Sequence, residues 1–585
     1  MYLSKLFSIL FVAMGSYSLS TKWQEECENI PASYFFTDKY SRVTLAPNGQ
    51  MVAYFYVEKD QHKALTVQQV VKGHKVVLLK EKMDRFFWSS NSKNLIYIRN
   101  KSDKGILSIV NVLDGVKEEL AVFEGKKIID ITVSSKISNA FIVHTQDIKT
   151  KLLSWYRYNL DEHLIKKVCD GKTSQVAVIF NDSLEPYFCH GIDNDGGQKL
   201  YLRQNNKWKR FVKADSDNSF LKLLASTDDE KRVFIQTSTH FSASRLLRMD
   251  VDGLNNQVLF EKDNYDVDKV LLDPKTSQLL AVSTQEPRKI WHIIAQDFKT
   301  EFAEIAKYTK GDIDILGASG SSNRWLIRYT NDDRPASYCV YDRNTKKNHY
   351  LFHNPFQLKD YPLSTSKLFH VTAKDGTSLQ GFLTLPKAIK KPKAVLFYFK
   401  KDPFKRHRWR FNSTVQFLAN RGYAVVQLNY RGLRGYGKTY LNTAKKRWLK
   451  LVLSDIEDVR KHLIVKKIAD PNKMGLYAEG YGAKLAAKIL ENIPKDFKAV
   501  ALNYKQAKCA LPKKLIDHLY TCDFLWTPYT KESVQGIAKQ CPVLMSVKKA
   551  SETENCKVIN VRPDQLEWFE KLENYFKKQF VLETN

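Results

Sequence analysis

The chain has 585 residues, of which 43% are hydrophobic and 12% aromatic. A chain of this length folds into two or more domains, and its apolar content excludes general disorder. Its 93 Lys and Arg against 63 Asp and Glu give a formal net charge of +30. This balance favours anionic partners, but acidic residues are interleaved along most of the chain, which is typical of an ordinary solvated surface.

Residues 1–20 have the pattern of a secretory signal peptide. Lys5 forms a short basic region, residues 6–15 form an apolar run, and small residues precede a cleavage point near Thr21. A buried N-terminal strand is the alternative interpretation. No later run approaches the roughly 20 apolar residues of a membrane span. We therefore expect a periplasmic or secreted protein without a transmembrane span.

Residues 40–355 contain a repeated unit of two apolar strands joined by a polar turn. With one anchor residue per unit, successive anchors are 43, 45, 47, 45, 47 and 45 residues apart. A regular period in this range predicts a β-propeller, and seven anchors predict seven blades. A β-sandwich array is the alternative, but its units would not keep such even spacing. The anchors are Pro47, Ser90, Ser135, Asp182, Thr227, Pro274 and Ser319.

The pattern changes after Pro355. Apolar strand segments alternate with helical segments, which is typical of a parallel sheet with helices on both faces. The predicted elements are strands at 394–398, 424–428, 474–477, 499–502 and 543–545 and helices at 413–420, 453–465, 483–492 and 564–580.

Eight cysteines include no C-x-x-C pair, so neither a zinc site nor thioredoxin chemistry is predicted. Four of them fall within the last 77 residues, where a disulfide is consistent with export. The sequence has no P-loop, dinucleotide fingerprint, HExxH or EF-hand pattern. No cofactor and no metal are therefore predicted.

Residues 478–482 read Ala-Glu-Gly-Tyr-Gly and lie between a predicted strand and a predicted helix. This is the setting of the nucleophile elbow, G-x-S-x-G, of α/β-hydrolases. The serine position is occupied by Gly480, which has no hydroxyl and cannot form an acyl-enzyme. The small residues Gly480 and Gly482 are still able to make the sharp turn.

Several further motifs follow one another in a set order. They are Asp375-Gly376, the segment 383–386 (LTLP), Trp409–Gly437 with its end NYRGLRGYG, Asp455–Val459 and Ile468–Pro471. With the repeats before them, these motifs resemble the prolyl oligopeptidase family, near its acylaminoacyl- and dipeptidyl-peptidase branches. The resemblance implies a propeller at 40–355 and an α/β-hydrolase domain at 356–585. The segment 21–39 is expected to pack near the latter.

In that family a serine attacks the carbonyl, a histidine takes its proton and an aspartate orients the histidine. The resemblance places these roles at Gly480, Asn560 and Ser551, and the last histidine of the chain is His518. The turn that contributes to an oxyanion hole in some branches reads Lys-Lys-Asp-Pro at 400–403. The backbone N–H of Tyr481 is the one oxyanion-like donor expected to remain.

Three functional hypotheses follow. The first is an inactive peptidase homologue that binds a peptide or protein between the propeller and the hydrolase domain. The second is an active hydrolase with non-standard residues, and the third is a binder of an anionic surface or polymer through the lysine-rich hydrolase face. No specific nucleic acid partner is predicted. For the second hypothesis, an active hydrolase, the candidate catalytic residues are Ser454, Ser546 and Ser551 with His407 or His462.

Overall fold

The computed structural model contains seven small antiparallel sheets followed by one eight-stranded mixed sheet. The expected signal peptide and its cleavage point lie outside the described residues. The structure describes residues 30–36, 40–57, 63–171, 175–192, 197–214, 219–227, 229–253, 255–387, 389, 391–402, 404–443, 447–493, 496–503, 543–547, 556–560 and 565–581.

The first four sheets have four strands each, and every strand pairs with the next one along the chain. Every anchor of the sequence repeat lies in the turn between the first two strands of its sheet. The strands are β1 (Tyr40–Leu45), β2 (Met51–Val57), β3 (Lys63–Gln69), β4 (Lys75–Leu79), β5 (Arg85–Trp88), β6 (Asn94–Asn100), β7 (Lys104–Asn111), β8 (Lys117–Glu124), β9 (Lys126–Val133), β10 (Ala140–Asp147), β11 (Leu153–Asn159), β12 (Leu164–Asp170), β13 (Gln175–Phe180), β14 (Pro186–Ile192), β15 (Gln198–Gln204) and β16 (Lys207–Lys213).

The next three sheets complete a seven-bladed propeller, which confirms the prediction from the repeat. Blades five and seven have four strands, and blade six has three in the part that the structure describes. The strands are β17 (Leu221–Ser226), β18 (Arg232–Thr237), β19 (Arg245–Asp250), β20 (Asn256–Phe260), β21 (Val267–Leu272), β22 (Leu279–Gln285), β23 (Lys289–Ile293), β24 (Asp312–Ala318), β25 (Arg324–Thr330), β26 (Ala336–Asp342) and β27 (Lys347–Asn354).

The inner strands are buried on both faces because the blades stack face to face. In β6, Leu95 and Tyr97 belong to one hydrophobic cluster, while Ile96 and Ile98 belong to the next. Successive side chains of a strand point to opposite faces, so each strand supplies two inter-blade cores. This explains why the repeats read as continuous apolar runs rather than as alternating ones.

Blade six differs from its neighbours because a helix, α2 (Gln296–Lys307), follows its third strand. The ring of Phe298 stacks on Trp325 of blade seven at 5.4 Å between centroids. The sequence analysis did not predict this helix, although Phe298, Phe302 and Ile305 have helical spacing.

The last blade closes on the first through direct contacts. The Asn354 side chain donates to the carbonyl of Tyr40 at 2.9 Å, and the amide of Gly320 donates to the carbonyl of Pro47 at 2.7 Å. The rings of Tyr40 and Phe352 stack at 3.7 Å. These contacts hold the ring closed without covalent bonds.

The mixed sheet has the strand order β28-β29-β31-β30-β32-β33-β34-β35, with parallel pairing from β31 to β35. All nine predicted elements are present. The elements are β28 (Ser366–Thr372), β29 (Ser378–Thr384), β30 (Val395–Phe399), α3 (Ser413–Asn420), β31 (Ala424–Asn429), α4 (Gly437–Thr443), α5 (Trp448–Val465), β32 (Met474–Glu479), α6 (Tyr481–Asn492), β33 (Ala499–Asn503), β34 (Val543–Val547), β35 (Cys556–Asn560) and α7 (Gln565–Val581), after a short 3-10 turn at Phe356–Leu358.

A short helix, α1 (Ala32–Phe36), packs against the mixed-sheet domain. Phe36 stacks on Phe569 of α7 at 3.6 Å, and Phe35 contacts Phe417 of α3 at 5.8 Å between centroids. The described part of the segment 21–39 therefore lies near this domain, as expected.

Three of the family-like motifs meet in one buried ionic cluster. Arg431, which is 1% exposed, donates to the fully buried carboxylate of Asp455 through its backbone N–H at 2.9 Å and Nε at 2.8 Å. It also pairs with Asp375. Burial alone would lower the pKa of Arg431, but the hydrogen bonds to both carboxylates raise it. The cluster ties β31, the loop after β28 and α5 together.

We expect Arg431→Met to destabilise the mixed-sheet domain by about 3–5 kcal/mol, because it leaves the carboxylate of Asp455 buried without its partner. Urea unfolding followed by tryptophan fluorescence measures the loss. The double variant Arg431→Met/Asp455→Leu should recover a large part of it, since it removes the uncompensated charge. Equal losses in the single and double variants would contradict this account.

Candidate functional site

Gly480 alone forms the turn between β32 and α6. It has φ 56° and ψ −125°, a backbone conformation that side chains disfavour. Its amide donates to the carbonyl of Asn503 at 2.7 Å. The chain therefore makes the sharp strand-to-helix turn of a nucleophile elbow, with glycine at the position of the nucleophile.

A side chain at position 480 would have no room. A Cβ placed on Gly480 would lie 2.8 Å from the Cβ of Lys401 and 3.2 Å from its Cα. Non-bonded carbon atoms pack at about 3.5–4.0 Å, so a serine here would require the backbone to shift. A Cβ on Gly482 would overlap the carbonyl oxygen of Lys400. Both glycines are therefore required by the close approach of residues 400–401.

The backbone N–H of Tyr481 is already engaged. It donates to the carbonyl oxygen of Lys401 at 3.1 Å. The turn at 400–401 thus occupies the amide that was expected to serve as an oxyanion donor. The sequence showed the lysines at this turn but not where their backbone would lie.

Glu479, the residue before the turn, lies in a buried hydrogen-bond network. Its carboxylate accepts from the hydroxyls of Tyr477 at 2.9 Å, Thr414 at 3.1 Å and Tyr398 at 3.3 Å. The indole N–H of Trp568 in turn donates to the Tyr477 hydroxyl at 3.1 Å. Burial raises the pKa of Glu479, although these hydrogen bonds oppose the shift. The network fixes the end of β32 and was not predicted from the sequence.

His407 is a buried structural histidine. Its Nδ1 lies 3.0 Å from Nε2 of Gln427, and its amide donates to Oδ1 of Asn429 at 2.6 Å. Burial, with a further contribution from the charge of Lys400, lowers its pKa well below the ordinary value. Its ring therefore stays neutral and hydrogen-bonded within the fold.

The remaining candidates are not brought together. Ser454 and His462 both lie on α5, eight residues apart, which separates them by about 12 Å along the helix axis. Ser546 lies on β34. Asn560, the position that corresponds to the family's catalytic histidine, is the last residue of β35. Ser551 and His518 lie outside the described residues. Among the residues that are described, no cluster of three or more His, Cys, Asp or Glu side chains could hold a metal ion.

Two arginines from the mixed-sheet domain bind the propeller. The guanidinium of Arg406 donates to the carbonyls of Gln285 at 2.6 Å and Glu286 at 3.0 Å. Arg408 forms an ion pair with Asp268 at 2.6 Å. Arg406 and Arg408 thus face the propeller, while Lys401 and Lys405 of the same basic segment are exposed.

A cavity of about 610 Å³ lies beside these contacts, between blades four to six and the mixed-sheet domain. Its charged lining comprises eight Lys and Arg and two Asp side chains. Lys222 belongs to the propeller, and the other seven cations come from residues 400–438. The sequence indicated a cavity between the domains but not its charge, since these residues meet only in the folded protein.

The fold and the elbow define a propeller joined to an α/β-hydrolase domain. Residues 409–525 match the sequence model of the prolyl oligopeptidase family. These matched residues, a fifth of the chain, carry the sequence signature of that family. Among the described residues, no helix is long and apolar enough to cross a membrane.

Curated relatives include dipeptidyl aminopeptidase BIII of Pseudoxanthomonas mexicana, 23% identical over 68% of this chain and 59% of that protein. Dipeptidyl peptidase family member 6 of Caenorhabditis elegans is 22% identical over 80% of this chain and 69% of that protein. The chain thus spans less than two thirds of the first of these relatives.

Solved structures with the same fold include an acylaminoacyl peptidase of Pyrococcus horikoshii, with a TM-score of 0.67, 13% identity and coverage of 94% of this chain and 97% of that one. A puromycin-hydrolyzing peptidase of Mycobacterium tuberculosis has a TM-score of 0.68, 13% identity and coverage of 94% and 96%. At these identities the likeness concerns the fold.

We expect Gly480→Ala to destabilise the protein by about 2–5 kcal/mol, from strain at positive φ and from overlap with the Lys401 Cβ. In a Lys401→Gly background the loss should shrink, because the overlap is relieved and the backbone strain remains. Urea unfolding of the wild type, the two single variants and the double variant measures the coupling between positions 401 and 480. An equal loss in both backgrounds would show that Lys401 does not close the turn.

Proposed function

We propose that this protein is a catalytically inactive member of its family that binds a peptide or protein segment in the cavity between its two domains. The observation that carries the proposal is Gly480, which has the backbone of a nucleophile elbow and no attacking atom. Acyl transfer needs a nucleophile and a base within hydrogen-bond reach. Lys401 occupies the space into which a nucleophile at this position would extend.

The alternative of an active hydrolase with non-standard residues has little support. Ser454 and His462 are too far apart on one helix to form a hydrogen bond. His407 is buried and hydrogen-bonded to Gln427 and Asn429. Among the hydrogen bonds of the described residues, none joins Ser454 to His407 or His462. Loss of even one triad member removes most of the rate in serine peptidases, so a partial constellation would not sustain turnover.

Peptide binding does not require the triad. The curated relatives are named as peptidases, and the cavity here lies where propeller and hydrolase residues face each other. Its volume is within the range of about 300–1,000 Å³ that is usual for ligand sites. A binding role therefore preserves the part of the architecture that holds a peptide and dispenses with the part that cleaves it.

We expect no labelling of the purified protein by a fluorophosphonate probe and no turnover of aminoacyl or peptidyl esters above buffer. Gly480→Ser should not restore either, since a base is still lacking and Lys401 blocks the new side chain. An active serine peptidase serves as the positive control. Hydrolysis by the wild-type chain that is abolished by mutating one of its own serines would refute the proposal and support the active alternative.

We also propose that the protein is exported and acts in the periplasm or outside the cell. The support is the basic and apolar pattern of residues 1–20. N-terminal sequencing of the native protein should give a mature start near Thr21. A cytoplasmic protein that still begins at Met1 would contradict export without affecting the proposed loss of catalysis.

A further inference from the structure

The interdomain cavity has more positive charge than its own carboxylates balance. Eight cationic side chains against two Asp give a formal excess of six charges. Asp268 already pairs with Arg408 at 2.6 Å and with Lys289 at 3.0 Å. Asp266 accepts the amide of Ser244 at 2.7 Å. The ion pairs of Asp268 therefore involve only one of the eight cations that line the cavity.

Arg410 and Arg434 are the clearest candidates for ligand contacts. Both line the cavity, and neither forms a salt bridge with any residue that the structure describes. The Nε of Arg434 is buried, with no hydrogen-bond partner among the residues whose placement is described. A guanidinium binds a carboxylate with two parallel hydrogen bonds, so these side chains are suited to acidic groups.

The cations of the cavity also repel one another. Burial, followed by the charge of Arg410, lowers the pKa of Lys400 well below its ordinary value. A bound carboxylate would offset this repulsion, because an opposite charge nearby favours the protonated cations.

The propeller side of the cavity is polar and mostly uncharged. Gln285 lines the cavity and is 4% exposed, and its buried Nε2 has no hydrogen-bond partner in the described part of the chain. Among the described residues, Phe220 is the single aromatic side chain that lines the cavity. Nucleotide bases are usually held by stacking on several aromatic side chains, so this lining favours a peptide over a single-stranded nucleic acid.

We propose that the cavity selects short peptides that carry Asp or Glu side chains, with Arg410 and Arg434 binding their carboxylates. This inference rests on the proposed peptide-binding function and specifies the class of peptide. The volume of about 610 Å³ suits a short segment rather than a folded domain. The carboxylates replace the countercharge that the cavity itself does not supply.

The test is calorimetric titration of the full chain with three capped peptides that differ only at two central positions, occupied by Glu, Gln or Lys. We expect the Glu peptide to bind about tenfold or more tightly than the Gln peptide, since hydrogen bonds to charged groups are the stronger ones. The Lys peptide should bind more weakly still. The preference for Glu should decrease as salt is added.

The variants Arg410→Gln and Arg434→Gln should each lower the affinity for the Glu peptide by about tenfold and leave the affinity for the Gln peptide nearly unchanged. Arg210→Gln is the matched control, because it removes the same charge from an exposed position on the edge strand β16, away from the cavity. Thermal unfolding of each variant shows whether it is folded. The affinities of the wild-type protein for the three peptides test the selectivity even if a variant fails to fold.

Each outcome distinguishes the inference from the function on which it rests. Equal binding of the Glu and Gln peptides would overturn the selectivity and leave peptide binding intact. Absence of binding by all three peptides would overturn both. Tighter binding of tripolyphosphate or of a heparin oligosaccharide at the same site would assign the cavity to a non-peptide polyanion. Cleavage of the peptides would refute the proposed loss of catalysis, while the order of affinities would still test the selectivity.

Discussion

The close approach of residues 399–401 to the turn at Gly480 determines the rest of the site. The carbonyls of Phe399 and Lys400 lie against Gly482, and the Lys401 carbonyl accepts the amide of Tyr481. In this packing a Cβ at position 480 would overlap Lys401, and the Tyr481 amide is hydrogen-bonded within the turn. The cations that follow this turn, from Lys405 to Arg410, line the cavity between the domains.

The architecture was largely predictable from the sequence because its signals are local. Each blade repeats the same apolar runs and polar turn. After Pro355 this repeat gives way to apolar strand segments that alternate with helical segments. Helix α2 was missed because it replaces a strand within an otherwise regular repeat. The short helix α4 and the strand β35 were missed because neither has a distinct apolar pattern.

The site was predictable only in part. Gly480 follows directly from the motif, since a missing hydroxyl is visible in the sequence. The overlap with Lys401, the hydrogen bond that engages Tyr481 and the burial of His407 depend on segments that are distant in the chain. The charge of the cavity depends on the orientation of residues 400–410, which in sequence look like an exposed basic run.

Stability and chemistry depend on different residues in the hydrolase domain. Arg431 joins carboxylates from two other motifs, and its removal would leave a buried charge unpaired. A hydroxyl at position 480 has no such role in folding. The requirement to fold is therefore a sufficient reason to retain the motifs that contain Arg431 and its two carboxylate partners. A chain of this kind can keep that part of its family signature for as long as it folds, whether or not it hydrolyses a peptide.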